Sequence, residues 1–378
     1  MPSKEKKLLI VGLSLALIPG IALLNLSCAL YERLVYGAFW EEGRPKGLYL
    51  NSNADRPKLT PGAHLNGWRY DIKINNLGFR GKELGPKPPN GYRIWCIGGS
   101  TTFDLYASDN YHTWPVQLEN KLQTMLPERT VEVINAGVPG EIFWGSKESF
   151  LEHLPIVQPD MVLIYHGPND LRKQAEMIGR PGQGNQEELH HPGHRQPKQG
   201  QGPQAPAPPE LAADPLPNPP PFEPGQFALG RAFGNWAQAR QALPDHLQSN
   251  RFTTDDIVNI EHDVLEFIRV ARHNNVVPVL ITHPTKAKKG DQGERLNERI
   301  AEASAHFKMP SAEVLRGFVA YNSMLQRLAK RERVSFIDLV PLISADDDLW
   351  GDALHFSDAG SELVSTLMSE RLQPIIKP

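Results

Sequence analysis

The stretch YRIWCIGGSTTF, residues 92–103, sets a short apolar run directly against two glycines, a serine and two threonines. The run is typical of a buried strand, and the glycine pair is typical of a tight turn at its end. Such a turn often does no more than start a helix, with Ser100 as its N-terminal cap. The alternative is that the turn displays the Ser100 hydroxyl as a nucleophile, and the rest of the chain has to decide between the two.

Four further segments share the apolar, β-branched character of this strand: residues 130–137, 160–167, 275–283 and 334–340. Near-continuous apolar runs suit parallel strands that are covered on both faces. Amphipathic segments lie between them, the clearest over residues 254–275. The alternation predicts an α/β fold, a doubly wound five-stranded parallel sheet flanked by helices. Ligands of such sheets bind beyond the carboxyl ends of the strands.

The first 31 residues read as a membrane anchor or signal segment. A basic start, with Lys4, Lys6 and Lys7, precedes an apolar stretch without charge until Glu32. About 20 apolar residues are enough to cross the hydrocarbon core as a helix. The lysines then predict a cytoplasmic N-terminus and a periplasmic or extracellular remainder. A cleaved signal peptide and a lipidated Cys28 are the alternatives.

The remaining chain divides by composition. Residues 32–90 are predicted to form an N-terminal extension, and residues 91–171 and 256–378 the two parts of the α/β domain. Residues 172–255 are rich in Pro, Gly and Gln, which predicts a disordered insertion. Its histidines 190, 191 and 194 lack a Cys or carboxylate framework, so no metal site is predicted. Phosphate-loop and dinucleotide fingerprints do not occur, and no cofactor is predicted. The formal net charge of -3 gives no reason to expect a nucleic-acid partner.

Polar signals follow four of the predicted strands, and each alone is an ordinary loop composition. They are Ser100 in GGST, Gly137 and Gly140 in NAGVPG, Asn169 in GPND, and Asp352 with His355 in GDALHF. Together they supply the parts for acyl transfer at one edge of the sheet. Ser100 would be the nucleophile, His355 its base and Asp352 the partner of the imidazole. The N–H groups of Ser100 and Gly137 and the amide of Asn169 would bind the oxyanion.

The order of these blocks, GGST, NAGVPG, GPND and DALH, resembles the SGNH (GDSL-like) hydrolases, over about residues 91–171 and 256–373. The resemblance implies the same roles for Ser100, Gly137, Asn169, His355 and Asp352, and the family's five-stranded parallel sheet agrees with the periodicity. One departure is Gly99, which stands where the family has an aspartate. His166 and Asp170 are interpreted as supporting residues. His283, which ends the fourth strand, is either a core residue or a further member of the site.

The resulting prediction is a membrane-anchored, extracytoplasmic serine esterase that hydrolyses O-acyl esters, with acetyl preferred, of a carbohydrate or lipid. An O-acyltransferase acting on envelope polysaccharide would use the same site. A non-catalytic binding or scaffold protein with a Pro-rich tether is the alternative from another class. The expected partners are the ester substrate and the membrane, which the N-terminal helix would enter.

Overall fold

The computed structural model describes residues 4–38, 40–41, 44–51, 56–178 and 250–377. The predicted insertion lies mostly outside the described residues, including its three histidines. Regular structure reaches into both of its ends, because one helix continues to Ile178 and another begins at Thr254.

The centre of the molecule is a five-stranded parallel sheet. Its strands are β7 (Gly91–Ile97), β8 (Thr130–Asn135), β9 (Met161–Ile164), β10 (Val277–Ile281) and β11 (Ser335–Ile337). They lie in the order β11-β10-β9-β7-β8. In register, Ile94 of β7 is opposite Val133 of β8 on one side and Met161 of β9 on the other. The five predicted strands and the parallel α/β fold are therefore confirmed.

Helices cover both faces of the sheet because alternate strand residues are apolar on each face. Ile94, Cys96 and Leu163 face α3 (Trp114–Met125) and α9 (Asp358–Ile376). Trp95 and Val162 face the opposite layer. That layer contains α4 (Phe143–Val157), α5 (Pro168–Ile178), α6 (Thr254–His273), α7 (Gly293–Phe307) and α8 (Ser311–Glu332).

The strand order places a topological switch between β7 and β9. The chain leaves β7 toward β8 on one side and then returns to β9 on the other. The crevice beyond the carboxyl ends of two such strands is where ligands of doubly wound sheets bind. Ser100, at the start of the short helix α2 (Ser100–Phe103), follows β7, and Asn169 lies in the first turn of α5 after β9.

The N-terminal part begins with the long helix α1 (Lys4–Tyr36). Three antiparallel strand pairs follow. They are β1 (Trp40–Glu41) with β2 (Arg44–Pro45), β3 (Tyr49–Asn51) with β4 (Lys58–Leu59), and β5 (His64–Asn66) with β6 (Asp71–Lys73). Apolar side chains of β4, β5 and β6 and of the connecting segments form a smaller core that also includes Phe103 of α2 and Val138 after β8. The extension is thus packed against the turn that carries Ser100.

Helix α1 is long and apolar enough to cross a membrane over Leu17–Val35, a stretch in which only 6% of the residues are buried. A signal sequence would meet the same criterion. The carboxyl end of α1 is docked on the β5–β6 hairpin, where the N–H groups of Trp68 and Arg69 donate to the carbonyls of Leu34 and Val35.

Candidate active site

The turn after β7 is held so closely to the neighbouring strand that only glycine fits at its first position. A Cβ on Gly98 would lie 2.2 Å from the Tyr165 carbonyl oxygen and 2.1 Å from Thr102 Oγ1. Thr102 Oγ1 donates to that same Tyr165 oxygen at 2.9 Å, which ties α2 to the end of β9. The glycine and threonine of the opening stretch therefore fix the position of Ser100.

The structure brings Ser100, His355 and Asp352 together. Ser100 Oγ lies 2.7 Å from His355 Nε2, and His355 Nδ1 lies 2.7 Å from Asp352 Oδ2. The His355 side chain is only 14% exposed and the Asp352 side chain only 19%. Because 255 residues separate Ser100 from His355, only the sheet topology can bring them into contact.

The loop before α9 fixes the histidine. Asp352 Oδ1 accepts hydrogen bonds from the N–H groups of Leu354 and His355, and the Gly351 N–H donates to the His355 carbonyl at 2.9 Å. Burial opposes ionisation of Asp352, but His355 and these hydrogen bonds outweigh it and lower the pKa of Asp352 to about 2. An ionised Asp352 accepts the Nδ1 proton of a neutral imidazole, which leaves Nε2 free to accept the serine proton.

Asn169 lies beside the serine turn. Its amide Nδ2 donates to the Glu141 carbonyl at 2.9 Å, and a Cβ on Gly99 would lie 2.3 Å from the same nitrogen. Gly99, where the family has an aspartate, therefore allows the Asn169 amide to approach the backbone directly before Ser100.

Gly137 is glycine because the chain packs closely against α2 at this position. A Cβ there would meet the Phe103 nitrogen at 2.1 Å, so the residue lies buried beneath α2 and not against an approaching substrate. Its N–H donates to Asn135 Oδ1 at 3.2 Å. Gly140 differs. A Cβ there meets no atom within 4 Å, and among the described residues its N–H has no hydrogen-bond acceptor.

A buried arginine of the extension, which sequence reasoning missed, supports the turn that carries Ser100. The Arg80 guanidinium donates to four carbonyls, those of Phe103, Asp104, Ala107 and Asp109, and the side chain is 1% exposed. Burial lowers the pKa of Arg80 to about 10, so the group stays charged at neutral pH. In the sequence, NNLG (residues 75–78) reads as a turn, and only the F-R-G that follows it hints at a buried residue.

Asp104, at the end of α2, joins this turn to α3. Its Oδ2 accepts the Trp114 N–H at 2.7 Å. Burial raises the pKa of Asp104 to about 7, against the lowering effects of Ser361, the Trp114 N–H and Arg80. Trp114 itself is fully buried, and its indole N–H donates to the Thr101 carbonyl.

The three other polar residues that the sequence places at this edge, His283, His166 and Asp170, are buried behind the site. His283 is fully buried and stacks on Tyr165 with ring centroids 4.9 Å apart. Burial, and then the nearby His355, lower the pKa of His283 to about 3, so it is a neutral core residue. His166 and Asp170 are buried too, with His166 Nδ1 lying 3.1 Å from Asp170 Oδ2.

Comparison with known proteins gives one family and a set of distant structures. The model of the GDSL-like Lipase/Acylhydrolase family matches residues 96–363. No curated protein matches the sequence. Among solved structures, a lipolytic protein of the G-D-S-L family from Desulfitobacterium hafniense DCB-2 is 14% identical, with 74% of this chain and 99% of that chain covered at a TM-score of 0.41. The lipase/acylhydrolase from Enterococcus faecalis is 16% identical, with 76% and 98% covered at 0.40. Esterase EstA from Pseudoalteromonas sp. is 12% identical, with 76% and 99% covered at 0.42.

The family match spans well over half of the chain, from the last two residues of β7 into α9, and so includes the other four strands of the sheet and both ends of the Ser100–His355 contact. It agrees with the order of the sequence blocks and with the parallel sheet. This chain belongs to the GDSL-like lipase/acylhydrolase family and is a serine hydrolase of ester bonds.

Proposed function

We propose that this protein is a membrane-anchored esterase that works outside the cytoplasm and removes small O-acyl groups, acetyl above all, from a carbohydrate or a lipid. Ser100 is the nucleophile, His355 its base, and Asp352 orients and stabilises the imidazole. The observation that carries the proposal is the hydrogen-bond chain from Ser100 Oγ through His355 to Asp352, with both links at 2.7 Å.

The reaction proceeds in two halves. Ser100 Oγ attacks the ester carbonyl while its proton passes to His355 Nε2, and the resulting imidazolium is stabilised by the ionised Asp352. His355 then gives this proton to the leaving alkoxide, which departs as an alcohol and leaves an acyl-serine. Water attacks the acyl-serine with His355 again as base, and the carboxylic acid is released with Ser100 restored.

The oxyanion of each tetrahedral intermediate needs donors that point at one position. The Ser100 N–H starts α2, where the helix provides no internal acceptor for it. The Asn169 amide has one proton directed to Glu141 and a second that is available. For the third donor we propose the Gly140 N–H in place of that of Gly137, because the Gly137 N–H is already bonded to Asn135. Each such donor contributes roughly 3 kcal/mol to the barrier reduction.

The proposed location rests on α1. Several large apolar side chains in its described part are exposed, with Leu17, Ile18 and Leu23 each about two thirds accessible. A helix with such an apolar surface is more stable in the hydrocarbon core of a membrane than in water. The lysines before it favour a cytoplasmic start, which places the esterase domain on the other side. A hydrolase held there meets acylated envelope polysaccharide and lipid esters.

The enzymatic proposal is tested on the full-length protein in detergent, with a fluorophosphonate probe and p-nitrophenyl acetate. We expect labelling and turnover in the wild type and neither in Ser100→Ala or His355→Ala. Ser323→Ala is the matched control, because that hydroxyl is exposed and bonds only to its own helix. A variant at Ser100 that still labels would place the nucleophile elsewhere. Adding an acylated sugar acceptor separates hydrolysis from acyl transfer, since transfer gives an acylated sugar instead of free acid.

The location is tested separately with a reporter fused after Pro378. We expect alkaline phosphatase to be active there, because it needs an oxidising compartment. The reciprocal control is a reporter that is active only in the cytoplasm, such as β-galactosidase. Activity of the cytoplasmic reporter at this position would overturn the topology and leave the esterase chemistry untouched.

A further inference from the structure

A second chain of polar side chains lies behind the proposed oxyanion site. Ser146 Oγ lies 2.8 Å from both Glu141 Oε2 and His166 Nε2, and His166 Nδ1 lies 3.1 Å from Asp170 Oδ2. Glu141, Ser146 and His166 are each 1% exposed and Asp170 is 6% exposed. Burying four polar groups this deeply costs folding free energy unless every one is hydrogen-bonded, so the fold depends on this chain of hydrogen bonds.

Ser146 is not a second nucleophile. With 1% exposure it cannot meet a substrate, and its hydroxyl is enclosed between two other side chains. The aromatic ring of Phe143 also stacks on His166, with ring centroids 4.3 Å apart. The chain therefore acts on the reaction only through the residues that it holds.

Both ends of the chain are fastened to the segments that carry the oxyanion donors. Glu141 directly follows Gly140, and its carbonyl accepts the Asn169 amide at 2.9 Å. Asp170 directly follows Asn169, and its Oδ1 accepts the Phe143 N–H at 2.9 Å. The side chains of Ser146 and His166 span the gap between these two ends. Three hydrogen-bonded connections thus join the loop after β8 and the start of α4 to the end of β9 and the first turn of α5.

We propose that Glu141, Ser146, His166 and Asp170 form a positioning relay that sets the Asn169 amide and the Gly140 N–H for the oxyanion. This inference rests on the proposed function of Ser100 and Asn169.

The relay is complete only when its protons are correctly placed. Ser146 donates to Glu141 Oε2 when that carboxylate is ionised. A protonated Glu141 can instead donate to Ser146, which frees the Ser146 O–H for His166 Nε2 and leaves His166 Nδ1–H for Asp170. If Glu141 loses its proton, the one Ser146 proton cannot serve both the carboxylate and Nε2. The hydrogen bond from Ser146 to His166 is then lost.

The surroundings of Glu141 favour the protonated form. Burial raises the pKa of Glu141 to about 8. Its hydrogen bond to Ser146 and the charges of Arg56 and Lys58 on the extension oppose this rise, whereas Asp170 adds to it. Both cations are also paired with Glu152 of α4, which weakens their effect on Glu141. We therefore expect the relay to hold at neutral pH and to weaken as Glu141 ionises.

The first test compares Ser146→Ala with Ser369→Ala in the full-length protein. Ser369 is an equally buried serine, but its hydroxyl bonds only to the Thr366 carbonyl of its own helix. We expect Ser146→Ala to lower kcat for p-nitrophenyl acetate by about 10-fold to 100-fold with KM changed less than about twofold, because oxyanion donors act mainly on the transition state. Ser369→Ala should keep the wild-type kcat. A Ser146→Ala enzyme with a kcat within twofold of the wild type overturns the relay.

The second test is the pH profile of Glu141→Gln, and it decides the matter if Ser146→Ala does not fold. The wild-type kcat should fall as the pH rises through about 8, because Glu141 deprotonates. A glutamine amide donates to Ser146 at every pH, so the ratio of kcat at pH 9 to kcat at pH 6.5 should be several-fold higher in Glu141→Gln. An unchanged ratio overturns the relay. A folded wild type that neither labels nor turns over is a distinct result, because it removes the proposed function and the relay's purpose with it.

Discussion

Replacing Gly99 by alanine should damage catalysis far more than stability. The added Cβ would lie 2.3 Å from Asn169 Nδ2, which is more than an ångström inside ordinary contact. The atom that it meets is the end of a side chain, which is displaced more easily than the backbone of a tight turn, so we expect the Asn169 amide to move. It then leaves the Glu141 carbonyl and the position from which it would donate to the oxyanion.

The two costs differ in size. Losing the Asn169–Glu141 hydrogen bond costs about 1 kcal/mol of stability, because the amide finds other partners once it moves. Losing an oxyanion donor raises the barrier by about 3 kcal/mol, a decrease of roughly 100-fold to 1,000-fold in kcat. We therefore expect Gly99→Ala to melt within a few degrees of the wild type and to hydrolyse p-nitrophenyl acetate at about 1% of its rate or less.

A double-mutant cycle shows whether the effect passes through Asn169. If it does, Gly99→Ala combined with Asn169→Ala should be no slower than Asn169→Ala alone. Gly85→Ala is the matched control, since a Cβ at that exposed glycine meets nothing within 4 Å. A Gly99→Ala kcat within threefold of the wild type, or losses that multiply in the double variant, would refute the reasoning.

Three further outcomes follow from the site. Asp352→Asn should lower kcat by about 1,000-fold to 10,000-fold with the fold intact, because the amide stabilises the wrong imidazole tautomer; an active variant in the same assay would contradict the assignment. Arg80→Met should lower the free energy of unfolding by about 3–5 kcal/mol, seen by thermal melting, since four carbonyls lose their donor; an unchanged melting temperature would show that water replaces it. The folded state holds the Glu141 proton up to about pH 8 and the unfolded chain releases it near pH 4.5, so the free energy of unfolding falls over this range by up to ~1.4 kcal/mol per pH unit. The melting temperature of Glu141→Gln should therefore depend less on pH than that of the wild type. An identical pH dependence would mean that Glu141 does not hold the proton.

The fold could be predicted largely because its strands are fully buried. The segment 92–98 was expected from its apolar run, and β7 occupies Gly91–Ile97. A strand covered on both faces has an unmistakable composition, and strand–helix alternation leaves few topologies. The small strand pairs of the extension were not predicted. Segments such as Trp40–Glu41 are two residues long, too short for any periodicity.

The site could be predicted to the extent that its residues end strands. Ser100 and Asn169 were expected at one edge because both follow parallel strands, and the structure places them beside each other at the switch point. The sequence NAGVPG does not say which of its glycines packs beneath α2, so Gly137 as oxyanion donor stays a prediction. The two glycines differ in their hydrogen bonds: the Gly137 N–H is bonded to Asn135, and the Gly140 N–H has no acceptor among the described residues.

The residues that sequence reasoning missed make their contacts with residues that are distant in the sequence. Arg80 bonds to carbonyls 23 to 29 residues away, and Ser146 contacts a histidine 20 residues away. No local pattern predicts such contacts, since neither residue belongs to a strand end or a recognised block. Glu141 looks like a surface residue at the start of a helix, and only its burial turns it into part of the relay.

The position of Arg80 indicates that the N-terminal extension has a structural role in the α/β domain. A segment between a membrane helix and an enzyme domain would ordinarily serve as a tether, free to vary in length. Here Arg80 holds the carbonyls that end α2, Ala38 and Leu48 share a core with Phe103, and the carboxyl end of α1 is bonded to the β5–β6 hairpin. The extension thus lies between α1 and the Ser100 turn with packed contacts on both sides. It follows that the described part of the extension supports the Ser100 turn, and that it joins this turn to α1 through packed and hydrogen-bonded contacts.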